Sequence, residues 1–237
     1  MAVFAGLSPS LAQFDEGSGS SGSGVTGSGG GGDGCSPPAP YLSVADRLYS
    51  VAGTSAHDVR AVGLMPTSSL IMHWNGCSWS ESYTEPVGFF YGVSAVSPSN
   101  AWAVGGTSWW DPSHTLAVHW NGASWTEVST PTPTGSGVLT AVDAITASDI
   151  WAVGYTGPGP GVITYDFQPL IEHWNGSTWT RVTSPNPGAE DSDLKGVTAI
   201  SPGNAWAVGT TVDGSGEWEP TTGWCMHLRP VRWKRTL

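Results

Sequence analysis

Short stretches of period-two alternation recur along this chain, separated by turn residues. In "AWAVG", Trp102 and Val104 alternate with Ala101 and Ala103, the two-residue period of a half-buried strand. Versions of the stretch end at Gly63, Gly105, Gly154 and Gly209. Each follows an apolar run, "LYSVAG", "YGVSAV", "LTAVDAI" or "LKGVTAI". Turn segments such as "SPSN" and "TASD" join the two. After a variable loop comes "LIMHWNG", "LAVHWNG" or "LIEHWNG", then a second Trp at Trp79, Trp125 or Trp179. No long segment repeats apolar residues at a 3.6 period, so helices are not expected.

Each repeat therefore reads as four antiparallel strands. Asn-Gly between strands three and four predicts a type I′ hairpin turn with positive φ at both residues. The units fall at about 43–87, 88–133, 136–188 and 193–237, after a low-complexity segment and linker over 1–42. The fourth unit departs from the pattern. His227 and Trp233 keep the spacing of His173 and Trp179, but Leu228-Arg229-Pro230 replaces Trp-Asn-Gly. The C-terminus from about residue 220 therefore reads either as a diverged unit or as a truncated or frameshifted end.

A glycine-ended strand, a variable loop, an aromatic residue, a turn and a Trp six residues after the histidine resemble the Kelch repeat. They also resemble the propeller repeats of the galactose oxidase central domain, over roughly residues 45 to 237. A true Gly-Gly pair occurs at Gly105-Gly106. Asp-box and photosystem-assembly propeller repeats share the Gly-x-x-Trp. Trp74, Trp120 and Trp174 stand where those repeats carry an acidic residue, which favours the Kelch-like reading. The resemblance implies an all-β propeller of about four four-stranded blades, or an open fragment of one, with no catalytic motif attached. Four blades are the usual minimum for closure, so a small ring, a piece of a larger one, or self-association of an open arc is expected.

Composition narrows the function classes. Charged residues make up 11% of the chain, against 33 Gly, 18 Pro and 14 Trp, and the formal charge is −11 with 8 Lys+Arg. Four of those cations, Arg229, Arg232, Lys234 and Arg235, crowd the last residues, so no nucleic-acid partner is expected. The two GxGxxG matches in the Gly/Ser linker neither follow a strand nor open a helix, which removes a nucleotide reading. Cys35, Cys77 and Cys225 show no zinc spacing and allow one disulfide. No segment is long and apolar enough to span a bilayer. "MAVFAGLSPSLAQ" ends in a small-x-small pattern, as a signal-peptide remnant would, but has no basic n-region and is interrupted by Pro9, so both readings stay open; the expected location is extracellular or cell-surface with the cytoplasm as alternative.

His73, His119 and His173 occupy one repeat position. Their expected role is structural, hydrogen-bonded to nearby backbone, because equivalent third strands do not converge on one ion. No metal or cofactor is expected. The recurrent Trp residues read as packing between units. The irregular aromatics are the candidate ligand-binding residues: Trp109, Trp110 and Asp111, Tyr155 and Tyr165, and Trp218, all on or beside loops between strands two and three. The expected function is a non-catalytic scaffold for a protein or carbohydrate partner. The alternatives are a propeller hydrolase or lyase acting on glycans, and a fragment without independent function.

Overall fold

In the computed structural model, residues 46–85, 88–108, 113–131, 135–157, 166–186, 191–212, 222–228 and 234–235 are described. All belong to one compact unit, Cys35–Leu237. Among them every regular element is a strand. The first sheet contains β1 (Arg47–Ser55), β2 (Asp58–Met65), β3 (Ser68–Trp74) and β4 (Trp79–Tyr83). The second contains β5 (Phe89–Ser97), β6 (Asn100–Gly106), β7 (Thr115–Trp120) and β8 (Trp125–Glu127). The third contains β9 (Ser136–Thr146), β10 (Asp149–Gly157), β11 (Gln168–Trp174) and β12 (Trp179–Val182). The fourth contains β13 (Asp191–Ser201), β14 (Asn204–Val212), β15 (Thr222–Leu228) and β16 (Lys234–Arg235). Each is an antiparallel meander in chain order. The fourth unit completes its sheet although it lacks Trp-Asn-Gly, because β15 keeps the full register with β14 through Ala205↔Leu228 and Trp206↔His227.

The first strands β1, β5, β9 and β13 touch in succession and form the inner edge of an arc. β5, β9 and β13 each lie across strands two and three of the preceding sheet. Three core clusters lie between sheets, one per junction, and a fourth gathers Ala61, Leu70 and Met72 of the first sheet. Trp102 and Trp151 are fully buried there, and Trp125 and Trp179 nearly so, which is the packing role expected of large rings between covered faces. Trp74, Trp120 and Trp174 are half-buried instead. Their indole N–H groups donate to the carbonyls of Ala56, Pro98 and Ala147, tying strand three to the turn between strands one and two. Arg60, at the strand-two Trp position, is buried. It donates to Asp58 and the Pro98 carbonyl and lies 5.6 Å from the centre of the Trp120 ring.

The hairpin expectation needs correction. The tryptophans pair as Trp74↔Trp79, Trp120↔Trp125 and Trp174↔Trp179, which leaves four loop residues rather than two. Only the glycine takes positive φ, 93° at Gly76, 96° at Gly122 and 97° at Gly176, and no non-glycine residue does so among the described residues. The asparagine works through its side chain. Asn121 Oδ1 accepts from the N–H groups of Ala123 and Ser124 at 2.9 and 3.0 Å, and Asn75 and Asn175 do the same. This Asx cap satisfies two loop donors that a type I′ turn would leave to the ladder.

Candidate functional site

The glycine that ends each second strand shapes the inner edge. A Cβ at Gly63, Gly105, Gly154 or Gly209 would overlap the carbonyl oxygen of Arg47, Phe89, Val138 or Asp193 on the first strand. At the same level the first strand carries one extra residue. Leu48 pairs with Gly63 and Ser50 with Val62, so the ladder register steps over Tyr49. Tyr91, Thr140 and Lys195 are skipped in the same way in β5, β9 and β13. Such a bulge bends the strand and re-aims its side chain.

The four bulge residues meet. Tyr49, Tyr91, Thr140 and Lys195, with Tyr155 from β10, line one groove of about 340 Å³ along the inner edge. The Tyr49 and Tyr91 rings meet edge-on, 4.9 Å between centres, and Tyr91 packs on Phe89 at the same distance. Tyr155 packs on Phe167, and the Lys195 ammonium lies 5.9 Å from the centre of the Tyr155 ring. Lys195 also pairs with Asp193 at 2.5 Å. Burial, then the Tyr155 and Tyr49 phenols, pushes Tyr91 up to about 12. Burial, then the Asp193 charge, pushes Tyr155 up. Both phenols thus stay neutral and able to donate a hydrogen bond at ordinary pH.

Of the sequence candidates, Tyr155 lines this groove. Trp109, Trp110, Asp111, Tyr165 and Trp218 lie outside the described residues. Tyr49, Tyr91, Thr140 and Lys195 escaped the sequence reading because a bulge is invisible to a period-two pattern. A signal was present. In "LYSV", "FYGV", "LTAV" and "LKGV" one freely varying position sits between constrained ones. A second cavity, about 550 Å³ on the third sheet, is lined by Asp166, Gln168, Arg181 and Asn186 among others. Gln168 donates to Asp166 and accepts from Asn186, so part of its polar lining is satisfied internally.

No metal-type cluster of His, Cys, Asp or Glu occurs among the described residues, and each repeated histidine has its own partner. Their partner is a side chain rather than backbone. His73, His119, His173 and His227 bond the first residue of strand two: Asp58 at 2.8 Å, Asn100 at 3.1 Å, Asp149 at 2.7 Å and Asn204 at 2.5 Å. That oxygen accepts, so the ring Nε2 carries the hydrogen. In the last three units the imidazole also lies against Trp102, Trp151 or Trp206. Burial raises Asp58, but hydrogen bonds from Thr54, His73 and Arg60, with the Arg60 charge, outweigh it and hold the carboxyl below its usual range. Burial holds His119 below its ordinary value. Asp149 also accepts from the Gly203 N–H at 2.9 Å and so links the third and fourth sheets.

Glu172, on β11, is buried at the junction of the second and third sheets, where neither carboxylate oxygen makes a hydrogen bond. Burial pushes it up to about 8, against the weaker downward pull of Arg181 and the adjacent Thr115 hydroxyl. With no exposed surface it cannot reach a substrate. Cys77 is disulfide-bonded and Cys225 carries an exposed free thiol. No helix among the described residues is long and apolar enough to cross a membrane.

No family model matches the chain, so its Kelch-like spacing names no family, and no curated protein matches either. Solved structures do match. The structure "YCF48 bound to D1 peptide" superposes with a TM-score of 0.50 at 15% identity, covering 81% of this chain and 54% of that one. A glycoside hydrolase of the GH43_12 group from capybara gut metagenome gives 0.46 at 10% identity, covering 79% and 40%. YCF48 from Cyanidioschyzon merolae gives 0.35 at 12% identity, covering 84% and 86%. The chain has the β-propeller fold. It spans about half the length of the peptide-bound YCF48 structure, and each four-stranded sheet is a propeller blade. At these identities the likeness concerns fold alone, and function rests on the groove.

Proposed function

We propose that this chain is a non-catalytic propeller scaffold that holds an extended peptide segment along the tyrosine groove. The observation that carries the reading is the convergence of one bulge residue from every blade on a single wall. Tyrosines supply large, rigid, amphipathic contact at low entropy cost, the composition that favours protein recognition. Lys195 adds one cation, suited to a carboxylate on the partner. Asp193 is the carboxylate nearest the lysine, and it is ion-paired there and accepts from Thr210. Glycoside hydrolysis uses two carboxyl groups facing one cleft, so this pairing supports binding over hydrolysis. The YCF48 neighbour, described with a bound peptide, supports the same class of ligand. Trp109, Trp110 and Trp218 are proposed as further anchors. The disulfide at Cys77 supports a location outside the cell, since such bonds persist in oxidising compartments.

Panning a random-peptide library on the purified chain tests the reading, with Tyr91→Ala and Tyr155→Ala as comparison proteins. Selected peptides should bind each variant at least about tenfold more weakly, the loss typical of an anchor residue. Peptides that bind all three proteins equally, or enrichment on a glycan array with none from the peptide library, would overturn it.

A further inference from the structure

The inner edge limits how a peptide can be held there. Adding the ligand as a strand requires open backbone groups along the edge it joins. The inner strands have engaged theirs with one another. The Val93 N–H donates to Ser50 Oγ at 3.3 Å, the Ala144 N–H to Ser94 Oγ at 3.1 Å, and the Ala199 N–H to Asp143 Oδ2 at 2.8 Å. The Leu194 carbonyl accepts from the Thr140 hydroxyl at 2.6 Å. In each case the partner side chain belongs to the inner strand before it. The bulges also interrupt the regular spacing that an added strand would have to match.

A helix is too wide. One turn, about 10 Å across and about 5.4 Å tall, fills roughly 420 Å³. The groove holds about 340 Å³. Recognition of a phosphorylated or strongly acidic motif uses a cluster of arginines. The lining carries Lys195 as its cation, paired with Asp193 and set against the Tyr155 ring.

Aromatic ridges and hydrogen-bond donors are what the groove offers. Tyr49 meets Tyr91, Tyr91 meets Phe89, and Tyr155 meets Phe167, each with 4.9 Å between ring centres. The nearby acceptors are engaged. Asp193 takes Lys195 on one oxygen and Thr210 on the other. Thr140 directs its hydroxyl hydrogen to the Val153 and Leu194 carbonyls. The Tyr49 and Tyr155 phenols and the Lys195 ammonium supply donors. Such a wall suits a segment with carbonyls to accept, flat apolar rings to pack and few N–H groups to leave unpaired. Proline meets all three needs, because its nitrogen carries no hydrogen and its ring fixes φ. A polyproline II segment makes no internal hydrogen bonds, so its carbonyls are available, and it is ordered before it binds.

We infer, taking the tyrosine groove as the peptide site, that the segment it holds is proline-rich and lies in the polyproline II conformation, its rings against the tyrosine faces and its carbonyls accepting from the Tyr49 and Tyr155 phenols. Fluorescence-anisotropy titration of the full chain tests this with a labelled, end-blocked peptide repeating Ala-Pro-Pro, beside the same peptide with alanine at every proline. The proline peptide should bind saturably with a Kd below about 1 mM. The alanine peptide should bind at least about tenfold more weakly, since it adds N–H groups and loses the preset φ. Tyr49→Phe removes one donor from a ring that is 40% exposed, so the circular-dichroism spectrum should not change. It should weaken the proline peptide about fivefold, the effect of one hydrogen bond. No binding of the proline peptide, equal binding of the alanine peptide, or an affinity indifferent to both Tyr49→Phe and Tyr155→Phe would overturn the inference. Library peptides that lack proline yet depend on Tyr91 and Tyr155 would overturn the polyproline conformation and leave the groove as the site. Library peptides indifferent to those tyrosines would overturn both.

Discussion

Replacing Glu172 with methionine should stabilise this protein, and by an amount that depends on pH. The sister positions are Met72, Val118 and Met226, so the site is built for an apolar side chain. In the unfolded chain the carboxyl titrates near its ordinary 4.5, and in the fold near 8. Between those values the folded state binds the proton and the unfolded state releases it, so stability falls as pH rises, by about 1.4 kcal/mol per pH unit. The contribution of Glu172 is fully present below pH 4.5 and is lost by about pH 8. At pH 7.5 the cost reaches about 4 kcal/mol, a large share of the stability of an ordinary domain. Urea unfolding of parent and Glu172→Met from pH 5.5 to 7.5 measures it. The gap between the two should widen by about 3 kcal/mol over that range. Other titrating groups are common to both proteins, so the difference isolates this residue. His119, held below its usual value, has the opposite sign: its contribution is present above its unfolded value and lost as pH falls through the folded one. A gap that stays constant with pH, or a methionine variant less stable at pH 7.5, would refute the reasoning.

Three further outcomes follow from the polar ties and the close approaches. Asp149→Ala should cost about 2 kcal/mol in denaturant unfolding, since it removes the acceptor of both His173 and the Gly203 N–H and leaves two part-buried donors without it. Asp149→Asn should cost about 1 kcal/mol, because Asn100 and Asn204 already serve their histidines in the second and fourth blades. Gly154→Ala should lower stability by about 3 kcal/mol, because its Cβ would overlap the Val138 carbonyl. A thermal melt of that variant matching the parent would show that the bulge is not held by glycine.

The repeat made most of the fold legible from the sequence. Alternation around the "AVG" glycines gave the strands, and the recurrence of Trp-Asn-Gly gave the strand three to four hairpins. The turn type was misread because Asn-Gly alone does not report loop length. The pairing of the flanking tryptophans does, and it requires the folded register. The histidine partner was misassigned for a related reason. Asp58, Asn100, Asp149 and Asn204 looked like turn residues, and only the antiparallel register of strands two and three brings each beside its histidine. The groove was least legible. Tyr49 and Tyr91 sit in strands whose alternation assigns them to a blade face, and the bulge turns them to the inner edge instead.

The same geometry says where the ligand can be encoded. Positions such as 62, 104 and 153 are squeezed between blades, so packing dictates their size. The bulge positions 49, 91, 140 and 195 escape that constraint, because the strand register steps over them and they turn to the inner edge instead of between blades. Tyr, Tyr, Thr and Lys can therefore differ without disturbing the repeat, and on the proposed reading their order along the inner edge sets which segment the wall holds.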